Sequence, residues 1–236
     1  VPMWHECITL ARKPMSDPKR GKQAPGPFHP EQVRSKDPYE LSNGHPIWCA
    51  PTGKDGTGPS GLGFSVLDSD PLVKSAGVDT GIDLGKKTLR APDVAVNFEP
   101  GPGTWATSTA LAVEYAGKGQ DEPELRTKIR QLLAAGTRWV WVVRLVGPRR
   151  VEVHTPNAAV RLAGIDEELT APGVLALPIP VRALFERDAA HETTLRNLLR
   201  ARGVESLDEL RRQAEQQGVA RGREEGREEG REEGRE

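Results

Sequence analysis

Residues 138–145 read RWVWVVRL, with five consecutive apolar residues between two arginines. Valine and tryptophan favour extended backbone, and the run shows no alternation between apolar and polar. It is too apolar for an exposed edge and predicts a buried central strand. Such a strand needs a covering layer on each face, which already excludes most all-helical designs. Upstream, residues 110–116 (ALAVEYA) alternate, with Leu111, Val113 and Tyr115 on one face and Ala112, Glu114 and Ala116 on the other. A helix signal lies between the two segments. Asp121 stands as N-cap, Pro123 falls in the first turn and Glu124 follows the cap by three. Leu125, Ile129, Leu132 and Leu133 form one stripe, and Gly136 ends it. Gly147-Pro148 then turns the chain into 149–155 (RRVEVHT), an alternating segment expected to pair antiparallel with the apolar strand. The order of strands, helix, strands predicts an α/β fold with a mixed β-sheet flanked by helices.

The flanks differ in character. Fourteen of the 20 prolines lie at or before Pro102, so residues 1–63 read as a loop-rich segment packed on the core. Within it, 56–61 (GTGPSG) matches G-x-G-x-x-G, but no strand precedes it and Pro59 opposes a helix start. It reads as a flexible loop and not as a dinucleotide fingerprint. Residues 64–186 carry the periodic pattern of the main domain. Residues 187–236 hold 11 Arg, no Lys and 13 acidic residues. Ser206 and Glu209 open a helix there, and a GREE repeat follows from Gly222. Each glycine costs about 1 kcal/mol against alanine in a helix, which outweighs the few tenths from an Arg–Glu pair. A solvated, fraying charged C-terminal tail is expected.

Thirty-three basic and 34 acidic side chains leave a formal charge of −1, which excludes a binder driven by overall basicity. No apolar run is long enough to span a bilayer, and no secretory signal pattern opens the chain, so no membrane contact is expected. Two cysteines, Cys7 and Cys49, make no disulfide framework, and a cytoplasmic location is expected. His5, Cys7, His45 and Cys49 have spacings that fit no common zinc pattern. Trp139 and Trp141 read as sheet packing.

Chemistry concentrates at Pro92-Asp93, Glu114 and Lys128. Asp93 begins one strand, and Glu114 sits within the next. Adjacent strands bring such carboxylates together, and a hard divalent cation, Mg²⁺ or Mn²⁺, offsets their repulsion. Ala112 and Ala116 leave room beside Glu114. Lys128 falls at the edge of the helix's apolar stripe, where its stem can carry the ammonium to the end of the sheet. Asp79 and Asp83 read as turn residues.

Pro92-Asp93, Leu111-Ala112-Val113-Glu114, Lys128 and 134–143 (AAGTRWVWVV) together resemble a bacterial family classed with the restriction endonucleases, within the PD-(D/E)xK nuclease-like superfamily. Leu169 to Leu175, Leu184-Phe185 and the Arg-Glu-Glu-Gly tail add to the resemblance, which covers about 77–185 and the tail. It implies a restriction-endonuclease-like core, with Asp93 and Glu114 as metal ligands and Lys128 as the catalytic lysine, moved from strand to helix. The usual lysine position, two residues after the acid, is Ala116 here. Tyr115-Ala116-Gly117-Lys118 replaces a common Ser-Pro, and Leu132 stands where a tyrosine is usual. Lys118 offers a second ammonium from the loop. Two function classes follow. One is a metal-dependent endonuclease acting on nucleic acid, DNA foremost, with a homodimer as an allowed assembly. The other is a non-catalytic interaction protein on the same fold, contacting partners through its charged tail.

Overall fold

The computed structural model of the chain describes residues 26–49, 51 and 53–233. A hairpin of β1 (Tyr39–Ser42) and β2 (His45–Trp48) comes first, then helix α1 (Lys54–Asp68). Short strands β3 (Ala76–Val78), β4 (Ile82–Asp83) and β5 (Leu89–Arg90) lead to β6 (Val94–Glu99) and β7 (Ser108–Ala116). Helix α2 (Glu122–Ala134) connects β7 to β8 (Trp139–Arg144), and β9 (Arg150–His154) and β10 (Arg161–Gly164) follow. A small ladder of β11 (Glu168–Leu169) and β12 (Ile179–Pro180) precedes α3 (Arg187–Ala201) and α4 (Leu207–Glu233).

The main sheet runs β10-β9-β8-β7-β6-β3. β7 and β8 are parallel, joined by the α2 crossover, and the remaining neighbours are antiparallel. This is the mixed sheet that the sequence predicts, with the apolar run at β8 in an interior position. Its two faces are covered separately. Leu111, Val113, Tyr115, Trp141 and Val143 pack with Val66 and Leu67 of α1 and Ala190 of α3. Ala112, Ala116, Val140 and Val142 pack beneath Leu125, Ile129 and Leu132 of α2. Asp121 caps α2 by accepting from the Glu124 amide, and Gly136 adopts φ +104° just beyond its end.

A second sheet, β2-β1-β5-β4, places the N-terminal hairpin beside the residues leading into β6. Its turn is Asn43-Gly44, with φ of +51° and +84°, the left-handed pair that a tight hairpin needs. Leu89 and Arg90 pair with β4 and lie in this second sheet, while Val94 onward lies in the main one. Ala91-Pro92-Asp93 therefore links two sheets, and Asp93 lies immediately before β6. Proline cannot donate to a ladder, so the change of sheet falls where the hydrogen bonding must lapse anyway.

Two segments differ from the sequence expectation. The run 56–61, expected as a loop, is helical, with Pro59 inside α1. Burial of Val66 and Leu67 against the sheet outweighs the helix-breaking tendency of its glycines and proline. Gly63 is needed there, since a Cβ would stand 1.9 Å from the Tyr115 hydroxyl. The GREE run, expected to fray, is helical to Glu233, although its side chains through Arg227 are exposed. Three of every four residues in the repeat are Arg or Glu, good helix formers whose preference offsets the glycines. The Ser206 hydroxyl caps this helix by accepting from the Glu209 amide.

Two expectations follow. Gly63→Ala is destabilised by about 1–3 kcal/mol through overpacking. Adding Tyr115→Phe restores part of that loss in urea unfolding, because the clashing hydroxyl has no hydrogen-bond partner of its own. Deleting residues 222–236 leaves the melting temperature nearly unchanged, since Gly222 to Arg227 are exposed; a large drop would assign the segment a packed partner.

Candidate functional site

The antiparallel register Val94↔Val113 brings Asp93 across from Glu114 at the open end of this strand pair. The pairing is reinforced by the Asp93 side chain, whose Oδ2 accepts from the Tyr115 amide at 2.6 Å. Glu114 lies on the α2 face between Ala112 and Ala116, whose small side chains leave space under the helix. Lys128, on α2, reaches the same place. Its Nζ is 2.7 Å from Glu114 Oε1 and donates to the Ala91 carbonyl at 2.7 Å.

A further carboxylate, which the sequence reading does not single out, completes the cluster. Glu40 of β1 accepts from Lys128 Nζ through Oε1 at 2.9 Å and from Arg90 through Oε2 at 3.0 Å. Arg90 also donates to Glu124 at 2.6 Å and to Gln131 at 2.7 Å, both on α2, and Gln131 donates to Ser42 on β1. Glu40, Arg90, Glu114 and Lys128 are all buried, Arg90 fully so. Glu124, the residue that a capping box would turn back to the helix start, is drawn to Arg90 instead. A sequence signal for Glu40 existed: Tyr39-Glu40-Leu41-Ser42 alternates into Asn43-Gly44, a strand-and-hairpin pattern inside a segment otherwise read as loop.

Burial shapes the charges. It pushes the Glu114 carboxyl up to about 8; Lys128 opposes this, while Asp93 and Glu40 add to it. Asp93 is also raised by burial, against the pull of Lys128 and the Tyr115 amide. Glu40 is lowered, because Lys128 and Arg90 together overcome its burial. Burial draws the Lys128 ammonium down, yet Glu114 and Glu40 hold it well above its ordinary range, so it stays charged. Four carboxylates (Glu40, Asp93, Glu114 and Glu124) stand against two cations, Lys128 and Arg90. Were all four ionised, the surplus would be two negative charges; the proton that Glu114 keeps at neutral pH lowers it to one.

Hard oxygen donors of this kind are the ligand type that could hold a divalent cation. Among the described residues no three His, Cys, Asp or Glu side chains are grouped as metal ligands. Magnesium, which keeps several waters, is commonly held by only one or two carboxylates, and Asp93 and Glu114 are the pair that face each other. Asp83 accepts from the Gly85 amide, as a turn residue does. Asp79, in a left-handed conformation after β3, donates its amide to the Asp93 carbonyl at 3.4 Å, and its charge adds to the upward shift of the Asp93 carboxyl. Lys118 is exposed in the loop after β7. His45 begins β2 and Cys49 follows it, whereas His5 and Cys7 lie outside the described residues. Among the described residues no helix is long and apolar enough to cross a membrane.

No family model and no curated protein matches the chain. Its structure is similar to the crystal structure of a “putative nuclease belonging to DUF820” from Anabaena variabilis ATCC 29413. The TM-score is 0.57 at 15% identity, over 68% of this chain and 96% of that one. The fold is nuclease-like.

The raised Glu114 carboxyl makes stability depend on pH. In the unfolded chain it titrates near its ordinary 4.5 and in the folded chain near 8. Between these values the folded state keeps a proton that the unfolded state releases. The contribution is therefore complete below pH 4.5 and is lost as pH rises through about 8. Glu114→Gln carries no such proton. Its urea midpoint should rise relative to the parent between pH 4.5 and pH 8. Parallel pH profiles for the two proteins would mean that burial does not disfavour the charged carboxylate.

Proposed function

We propose that this chain is a divalent-metal-dependent endonuclease that hydrolyses phosphodiester bonds, with DNA as its substrate, using the acidic pair and lysine typical of PD-(D/E)xK nucleases. One observation carries the reading: on a nuclease-like fold, Asp93, Glu114 and Lys128 arrive from three separate segments, the link before β6, β7 and α2, at one cluster with surplus negative charge. Asp93 and Glu114 would hold Mg²⁺ or Mn²⁺. The bound ion supplies a Lewis acid for a phosphoryl oxygen and an acidified water for attack.

The chain's own groups do the rest. Glu40 and the Ala91 carbonyl fix two directions of the Lys128 ammonium. The third direction, facing Glu114, is the one that a phosphate oxygen can share. Because neighbouring acids keep Lys128 charged, it can stabilise negative charge developing on the phosphoryl group. The Tyr115 amide restrains Asp93, which narrows the geometries its carboxylate can adopt.

Glu114→Gln should abolish metal-dependent cleavage of plasmid DNA while preserving the fold, since the change is nearly isosteric. Lys128→Ala should retain metal binding and lower turnover about 10²–10³-fold, the scale of one preorganised charge contact. Asp83→Asn should match the parent. Titrating the protein with Mg²⁺ or Mn²⁺ near pH 7 in weak buffer should release protons, because Glu114 must ionise to bind; Glu114→Gln should release fewer. A parent inert with every metal and every nucleic acid, and releasing no protons, would favour the interaction-protein reading.

A further inference from the structure

We propose that Arg90 and Glu40 are positioning residues that hold the Lys128 ammonium against Glu114, acting on the reaction only through that lysine. The proposal rests on the nuclease reading above for its functional consequence, and on geometry for the relay itself.

The Glu40 carboxylate is a bridge. One oxygen takes Arg90 and the other takes Lys128, so fixing the first directs the second. Arg90 supplies the fixed end. Its side chain is 1% exposed, and its guanidinium spends its nitrogens in three directions: Nε on Gln131, one terminal nitrogen on Glu40 and the other on Glu124. Gln131 and Glu124 both lie on α2, one turn either side of Lys128. Arg90 thus registers the helix that carries the lysine and the strand that carries its acceptor with a single planar group. A lysine at this position has one nitrogen and cannot serve three partners so far apart.

The same short segment joins these roles. Arg90 holds Glu40, the next residue offers its carbonyl to Lys128, and Asp93 follows two residues later. Docking α2 alone does not require the Glu40 contact, since Glu124 and Gln131 already attach Arg90 to the helix. What the Glu40 contact adds is the placement of one ammonium. The nearest charged groups facing that ammonium are Glu40, Glu114 and, at longer range, Asp93.

The test uses the full chain. Arg90→Gln and Glu40→Gln should each lower kcat about ten- to hundred-fold, the usual effect of losing a group that orients a site residue, with KM little changed. In a Lys128→Ala background neither substitution should slow the reaction further. Equal losses in both backgrounds would overturn the proposal, because a residue that merely supports the fold acts whether or not the lysine is present. A readout independent of turnover is the ¹H–¹⁵N signal of the Lys128 ammonium in ¹⁵N-lysine-labelled protein. It should be visible in the parent, where the group is buried and hydrogen-bonded, and lost or exchange-broadened in both variants. Its retention in both would overturn the relay. Should the parent prove inert, the nuclease reading falls alone and this signal decides the relay. Should Arg90→Gln fail to fold, Glu40→Gln decides it by the same two measurements.

Discussion

A buried ammonium organises this protein. Lys128 is nearly closed to solvent on the inner side of α2, and an unpaired charge there would cost several kcal/mol. It is tolerated because acceptors come to it from three places: Glu40 on β1, the Ala91 carbonyl in the link between sheets, and Glu114 on β7. Each acceptor belongs to a different segment of the chain, so satisfying the lysine docks the small sheet, the main sheet and the helix onto one another. Arg90 repeats the device one layer further in, tying β5 to β1 and α2. The N-terminal hairpin is thereby part of the cluster and no mere covering.

The strand at the centre of this arrangement separates two environments. Leu111, Val113 and Tyr115 point into the larger apolar core, where Gly63 lets α1 approach closely enough to enclose the tyrosine ring. Ala112, Glu114 and Ala116 point to α2, where the alanines keep the layer thin enough for Glu114 and Lys128 to meet. One face gains stability from dry packing, which supports the ionic arrangement on the other. Lys128 keeps Glu40 as its partner whether or not Glu114 is ionised, whereas removing Lys128 leaves these acidic groups without the cation they share. Burial raises the Glu114 carboxyl, and the neighbouring Asp93 and Glu40 add to it.

Much of this architecture was legible along the chain, because its signals are local. The apolar run at β8, the alternation of β7, the Asp121 cap and the Gly136 stop depend on neighbours within a few residues, and periodicity reports them directly. Asp93, Glu114 and Lys128 could be listed for the same reason, each being a polar group out of keeping with an apolar setting. By contrast the 56–61 start of α1 reads as loop, since GTGPSG violates local helix preference, and packing of α1 against α3, Leu184 and the sheet supplies the compensation. The GREE helix is a milder case, in which strong and weak helix formers compete within each repeat.

What the sequence by itself determined is therefore the central elements β7, α2, β8 and β9, the mixed sheet they build and the chemistry on offer: two acids and a lysine. The tertiary structure alone decided their company. Glu40 lies 88 residues from Lys128 in the chain and Arg90 lies 50 from Glu40, so no periodicity or spacing joins them. Their meeting follows from the break at Ala91-Pro92-Asp93, which sends one side of that link into each sheet. The energy of a buried ion pair depends on distance and on the exclusion of water, and neither exists until the sheets and α2 have closed around the lysine.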